Sequence, residues 1–347
     1  MRGEITLGNT TIRKGTGDYY FIAEIGTNFV EISKATKETP LITAKRLITN
    51  AYSSGVQAVK FQIYEAEGLA SGVEQPGQYE YLEKHEIEDY SFYDELIEFS
   101  KEIGIDFSAS LFTEKSIEYF APKLEYFKIA SPDITNKPML KKLGSYNKPI
   151  LLSTAGSNMF EICEALNWIG HEKVAILHCT AKYPTDIQDV NLAVIRNLDK
   201  YFPHVIGFSD HLDPGKFAHG PLYAYIAGAN ILEKHFTLYR FYEGNDHLHS
   251  YIPAMLSSAI RSIKEAQILL GSNFKKALEC EKDFVLLGRR SLAAKRGIEK
   301  GKVLIEDDLT SLRPATGIPP FAIESVIGRR TAKAIDKNEI LQYNNLI

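Results

Sequence analysis

Cysteine is scarce in this 347-residue chain: Cys163, Cys179 and Cys280 are odd in number and show no Cys-x-x-Cys spacing. That argues against a disulfide framework and fits a reducing compartment. Excess charge of either sign is also lacking. A formal net charge of −4 leaves no large basic surface to hold nucleic acid. No apolar run reaches the roughly 18 residues that a membrane span needs. The opening MRGEITLGNTTIRKGTG has no apolar core of signal-peptide type, so a cytoplasmic protein without a membrane partner is expected. Neither Gly-x-Gly-x-x-Gly nor Gly-x-x-x-x-Gly-Lys-Ser/Thr occurs, so nucleotide binding has no support.

What is present is an alternation. Short apolar runs, YFIAEIG, AVKFQ, DFSAS, YFKIAS, PILLST, VAILHCT, VIGFSD and ILEKHF, are separated by amphipathic stretches such as LITAKRLITNAYSSG, SFYDELIEFSKEIG, NMFEICEALNWIG and IPAMLSSAIRSIKEAQILLG. Strands alternating with helices of crossover length predict an α/β fold, a closed parallel (β/α)8 TIM barrel, with a doubly wound open sheet as the competitor. Most runs end in polar residues: Glu24, Gln62, Ser110, Ser131, Thr154, Thr180, Asp210 and His235. In a barrel all eight carboxyl ends open on one face, where this architecture places its chemistry. After Gly271 the helical period gives way to short β runs broken by Gly, Pro and Lys-Gly signals. The expected organisation is a barrel domain over 1–280 and a small β-rich domain over 288–347, with a linker near 272–288.

Within ILEKHF, side-chain alternation puts Glu233 and His235 on one side of the strand and Lys234 on the other. The same rule pairs Ser209 with His211 in GFSDH. Adjacent strands lie about 4.8 Å apart, so His211 and His235 can share a divalent cation at the mouth. Each could equally be a satisfied rim histidine. His178 reads as structural. Lys60 and Lys128 sit inside apolar strands and need an anion: a phosphate or carboxylate ligand, with Ser110, Ser131, Ser153 and Thr154 as donors, or an internal salt bridge to Glu24 or Glu233. Glu24 can act as a general acid or base, or serve only as a partner for Lys60. Tyr183 lines the mouth or packs a turn, and Asp246 in GNDH contacts polyol hydroxyls or sits in a solvated turn.

FIAEIGTN, KFQ, FKIAS with ITNKPML, ILLSTAGS, LHCTAKYPT with DVNL, GFSDH, GANILEKHFTL, GNDH and RRSL through LRPATGI follow in one order. In that order the chain resembles the N-acetylneuraminate (sialic acid) synthase family, which includes legionaminate and pseudaminate synthases. The resemblance implies condensation of phosphoenolpyruvate with an N-acylated hexosamine aldehyde to a nine-carbon 2-keto acid, with release of phosphate. It implies a barrel followed by an antifreeze-like (SAF) domain, in a homodimer that sets this domain over the partner's active site. It assigns His211 and His235 to Mn2+ or Mg2+, and Lys60, Ser110, Lys128, Ser131, Ser153 and Ser209 to phosphoenolpyruvate. It places Glu24, Gln62, Tyr183 and Asp246 near the sugar, with Asp133 where the family commonly has Glu, and Arg313 reaching the sugar from the other subunit. Ser110 stands for the usual Thr and Ser153-Thr154-Ala155-Gly156 for STGM, while the sugar-reading positions drift: Phe29-Val30-Glu31 replaces His-Asn-Gly after Asn28, and Ala181 replaces Asn. They point to a 2,4-diacetamido-trideoxyhexose rather than plain N-acetylmannosamine. The competing readings are another phosphoenolpyruvate-aldose condensing enzyme, for which a second basic cluster is lacking, and a non-catalytic carbohydrate-binding or ice-associating barrel.

Overall fold

The computed structural model describes residues 3–272 and 274–347. The chain divides into two compact units, Met1–Gly271 and Ser272–Ile347. It opens with a hairpin that the strand-helix alternation does not announce. Strands β1 (Glu4–Leu7) and β2 (Thr10–Arg13) pair antiparallel, with Ile5 opposite Ile12.

The eight expected strands follow: β3 (Tyr20–Gly26), β4 (Ala58–Ile63), β5 (Asp106–Leu111), β6 (Phe127–Ile129), β7 (Ile150–Ser153), β8 (Val174–Cys179), β9 (Val205–Asp210) and β10 (Ile231–His235). All pair parallel in chain order, and β10 pairs with both β9 and β3, which closes the barrel. The open-sheet competitor is thereby excluded. Gly207 permits the last contact: a Cβ there would lie 2.7 Å from the Ile231 carbonyl oxygen.

The crossover helices form where the apolar period puts one face against the barrel. Helix Ser91–Ile103 buries Tyr93, Leu96, Ile97 and Ser100, spaced i, i+3, i+4 and i+7, and stops at Gly104 with φ 79°. Burying one such leucine contributes about 2 kcal/mol. Helix Met159–Ile169 starts in a capping box, in which Asn158 accepts from the Phe160 and Glu161 amides while Glu161 accepts from the Asn158 amide. Inside the barrel, Ile5, Leu7 and Ile12 of the hairpin pack with Tyr20, Ile22, Tyr126, Leu151, Leu177 and Ile231, filling the end away from the strands' carboxyl termini.

The second unit has a thin core around Leu292, Ile298, Leu304, Ile318, Val326 and Leu341. Its two strands, β11 (Ser291–Ala294) and β12 (Leu309–Leu312), pair antiparallel. Asp308 is fully buried and hydrogen bonded by Arg296 at 2.8 Å and by Lys302. Short helical turns, Glu279–Glu281 and Phe284–Gly288, occupy part of the expected linker. Among the described residues, no helix is long and apolar enough to cross a membrane.

Candidate active site

Parallel register brings the polar strand ends together. Glu24 lies level with Lys60 on one side and with His235 on the other. Ser110 is level with both Gln62 and Lys128, and Ser209 with Glu233. Lys234 points the other way, as alternation requires, and its ammonium is 2.9 Å from Asp210 and 2.7 Å from the Leu212 carbonyl. That pair belongs to the packing around the barrel.

Of the two alternatives for the lysines, the internal salt bridge is formed: Lys60 and Lys128 are both buried and both paired with carboxylates of the protein. Lys60 Nζ is 2.6 Å from Glu24 Oε2 and 3.9 Å from Glu233, and Lys128 Nζ is 2.8 and 2.9 Å from the two Glu233 oxygens. Ser110 accepts from Lys60 at 3.2 Å, Ser209 donates to Glu233 at 2.9 Å, and Gln62 donates to Glu24 at 3.0 Å. The network is electrically balanced but not symmetrical. Burial raises the Glu24 carboxyl, and Glu233 adds to this against the pull of Lys60. Burial also acts on Glu233, yet Lys128 and Lys60 overcome it and hold that carboxyl well below the usual range. Burial and the nearby Lys60 lower Lys128.

His211 and His235 do converge, with ring centroids 5.5 Å apart. A third ring, His249, lies 4.6 Å from His235 and 5.8 Å from His211, and Tyr183 covers His211 at 4.2 Å. His211 Nδ1 sits 2.9 Å from the Thr180 carbonyl, which fixes the tautomer and leaves Nε2 free. Burial keeps all three imidazoles neutral: His211 is pushed down to about 4, His235 well below its ordinary value and His249 to about 2. Burial, with Glu24 and Glu31 nearby, pushes the Asp246 carboxyl up to about 7. Neutral imidazoles whose buried nitrogens lack hydrogen-bond partners, as at His235 Nδ1 and both His249 nitrogens, fit the divalent cation that the sequence leads one to expect.

His249 escaped the sequence reading. Its signal is the His-x-His of DHLHS, which brings two more imidazoles within 14 residues of His235. The loop is delivered by its pinned ends: Phe236 bridges to Tyr251, the Thr237 amide donates to the Tyr251 carbonyl at 2.9 Å, and the Asn28 amide group donates to the Phe236 carbonyl at 2.9 Å.

The remaining expected residues take these places. Ser153 ends β7 and is buried. Ser131 and Asp133 form a turn after β6, where Ser131 accepts from the Ala155 amide at 3.0 Å. His178 is structural, its Nε2 2.7 Å from the Val190 carbonyl. Arg313 directly follows β12 in the second unit. Of the departures after Asn28, Phe29 enters the core, whereas Glu31 meets His85 at 3.0 Å and Tyr81 at 3.1 Å. These three, with Lys34, Phe241 and Tyr242, line a cavity of about 620 Å³.

The chain is similar to known synthases over most of its length. The NeuB family profile matches residues 47–275, and the SAF domain profile matches 289–347. The N,N'-diacetyllegionaminic acid synthase of Campylobacter jejuni is 34% identical, covering 92% of this chain and 98% of that protein. The human N-acetylneuraminate-9-phosphate synthase is 30% identical over 93% of this chain and 91% of its own. Among solved structures, the N-acetylneuraminic acid synthetase of Leptospira borgpetersenii in complex with citrate superposes with a TM-score of 0.74 at 28% identity, covering 82% of this chain and 96% of that one. The (β/α)8 barrel with its buried polar mouth thus belongs to a member of the NeuB family, followed in the chain by a SAF domain.

Proposed function

We propose that the chain is a nonulosonic acid synthase. It joins phosphoenolpyruvate to an N-acylated hexosamine aldehyde, a 2,4-diacetamido-trideoxyhexose in preference to N-acetylmannosamine, and releases phosphate. The observation that carries this reading is the buried Lys60–Glu24 and Lys128–Glu233 network lying beside neutral imidazoles at the barrel mouth.

The reaction forms a bond between C3 of the enol and the aldehyde carbon, and the aldehyde oxygen takes a proton. Water adds at C2. The C2–O bond to phosphate then breaks, and the second proton of that water leaves with the phosphate. Lys60 and Lys128 bind the anionic donor, and their pre-arranged charges cost little reorganisation once the donor displaces water. Ser110, Ser131, Ser153 and Ser209 supply hydroxyl donors around it. Glu24, raised by burial, is the group that moves a proton at the reacting centre. His211 and His235 would hold a divalent cation, Mn2+ or Mg2+, which would supply Lewis-acid chemistry toward the aldehyde. Tyr183 and Asp246 border the acceptor. Glu31, where the family pattern has glycine, offers a carboxylate to the amide N–H of a second acetamido substituent.

The test is phosphate release from phosphoenolpyruvate with each sugar, with the product mass determined. Higher kcat/KM with the diacetamido sugar is expected; equal or better turnover with N-acetylmannosamine overturns the acceptor assignment. We further propose a homodimer in which Arg313 serves the partner's site, where its fixed charge helps exclude water. Inactive His211→Ala and Arg313→Ala chains, coexpressed, should regain about a quarter of wild-type sites. No recovery would place Arg313 within its own subunit's site, and an Arg313→Ala chain that is active alone would put the residue outside the chemistry.

A further inference from the structure

His235, Asp246 and His249 form a cluster whose ligating atoms all lie within 4.8 Å of one another. Asp246 stands between the rings: one carboxylate oxygen is 3.6 Å from His235 Nδ1 and the other 3.8 Å from His249 Nε2. Both separations are too long for hydrogen bonds. His235 Nδ1 and both nitrogens of His249 are buried with no partner. His249 is wholly buried, so this orphaned ring faces no solvent. Leaving such groups unsatisfied is costly, and one shared ion would satisfy His235 Nδ1 and one nitrogen of His249 together. Donors about 2.1 Å from a shared octahedral ion stand about 3–4 Å apart, so the cluster needs only a small contraction.

We propose that His249 and Asp246 are additional protein ligands of the divalent cation at the mouth, giving a site of three imidazoles and one carboxylate with His211 and His235. This rests on the reading that a cation binds there at all, and it goes beyond the two-histidine assignment. The donor set also selects the ion. Imidazole nitrogen suits Mn2+, Fe2+, Co2+ and Zn2+, whereas Mg2+ prefers oxygen and keeps its waters. The site is therefore tuned to a first-row transition dication over Mg2+. The pinned loop from Thr237 to Ser250 makes the arrangement durable, because it carries Asp246 and His249 on a segment closed at its base by the Phe236–Tyr251 bridge.

The experiment is Co2+ titration of the full-length protein, read by visible d–d absorption and by competition with a chelator of known affinity. Wild type, His249→Ala, His249→Gln and His211→Ala are compared, with circular dichroism confirming that each is folded. One tightly bound Co2+ in wild type is expected, weakened at least about tenfold in either His249 variant, with an altered band. His249→Gln keeps much of the side-chain volume without the imidazole, which guards against a folding defect in the alanine variant. Unchanged affinity and spectrum in a folded His249 variant, with loss in His211→Ala, overturns the additional ligand and leaves the two-histidine site standing. Absence of stoichiometric Co2+ binding in wild type overturns both. Mg2+ competing with Co2+ at comparable concentration would overturn the selectivity.

Discussion

His235→Ala is expected to lower turnover at least about a thousandfold, the several kcal/mol that Lewis-acid polarisation supplies. The same substitution should leave the fold nearly intact. His235 ends β10, and its Nδ1 makes no hydrogen bond within the protein, so truncation breaks no polar contact there. The neighbouring rings, His249 at 4.6 Å and His211 at 5.5 Å, would lose a packing partner and no more. Phosphate release and thermal unfolding measured on one preparation separate the two effects. Turnover within tenfold of wild type would remove His235 from the chemistry, and so would activity that survives in a His211→Ala, His235→Ala double variant.

Lys128→Met should destabilise the protein by about 3–5 kcal/mol, because it leaves a buried carboxylate without its principal partner. Glu233 would retain Ser209 at 2.9 Å and only a distant Lys60 at 3.9 Å. Adding Glu233→Gln removes the stranded charge and keeps the hydrogen bond from Ser209, so the double variant should recover most of the lost stability. Recovery of stability without recovery of phosphoenolpyruvate binding would separate the two roles of Lys128. Denaturant unfolding monitors the first and direct titration of the donor the second. A single variant that costs less than about 1 kcal/mol would mean that water already shields this pair, and the electrostatic account of the mouth would fail with it.

The barrel was legible because strand and helix periods alternate eight times and the strand ends are polar, and local pattern records both facts. Glu24 as a partner for Lys60 was an open alternative, since adjacent strands put them level. The Lys128–Glu233 pair was harder to see. These residues lie on β6 and β10, 105 positions apart in the chain, and a contact across the interior depends on tilt and side-chain length that no period encodes. The hairpin was missed because four-residue strands are too short to show a period, although Leu7-Gly8-Asn9-Thr10 carries a turn signal. His249, and the meeting of Glu31 with His85, were missed for a different reason. Both belong to segments whose course is set by distant anchors, such as Asn28 reaching Phe236, so their meeting with His235 and His85 is a property of the folded chain alone.

The apolar stopper that β1 and β2 push into the base of the cylinder has a further consequence. With Leu7, Tyr20, Ile22 and Ile231 wholly sealed off, the vessel is blind, so reactants and products share one doorway. Whatever sugar the enzyme comes to prefer, the change must be written in the rim loops, while the solid lower half stays the same foundation beneath each of them.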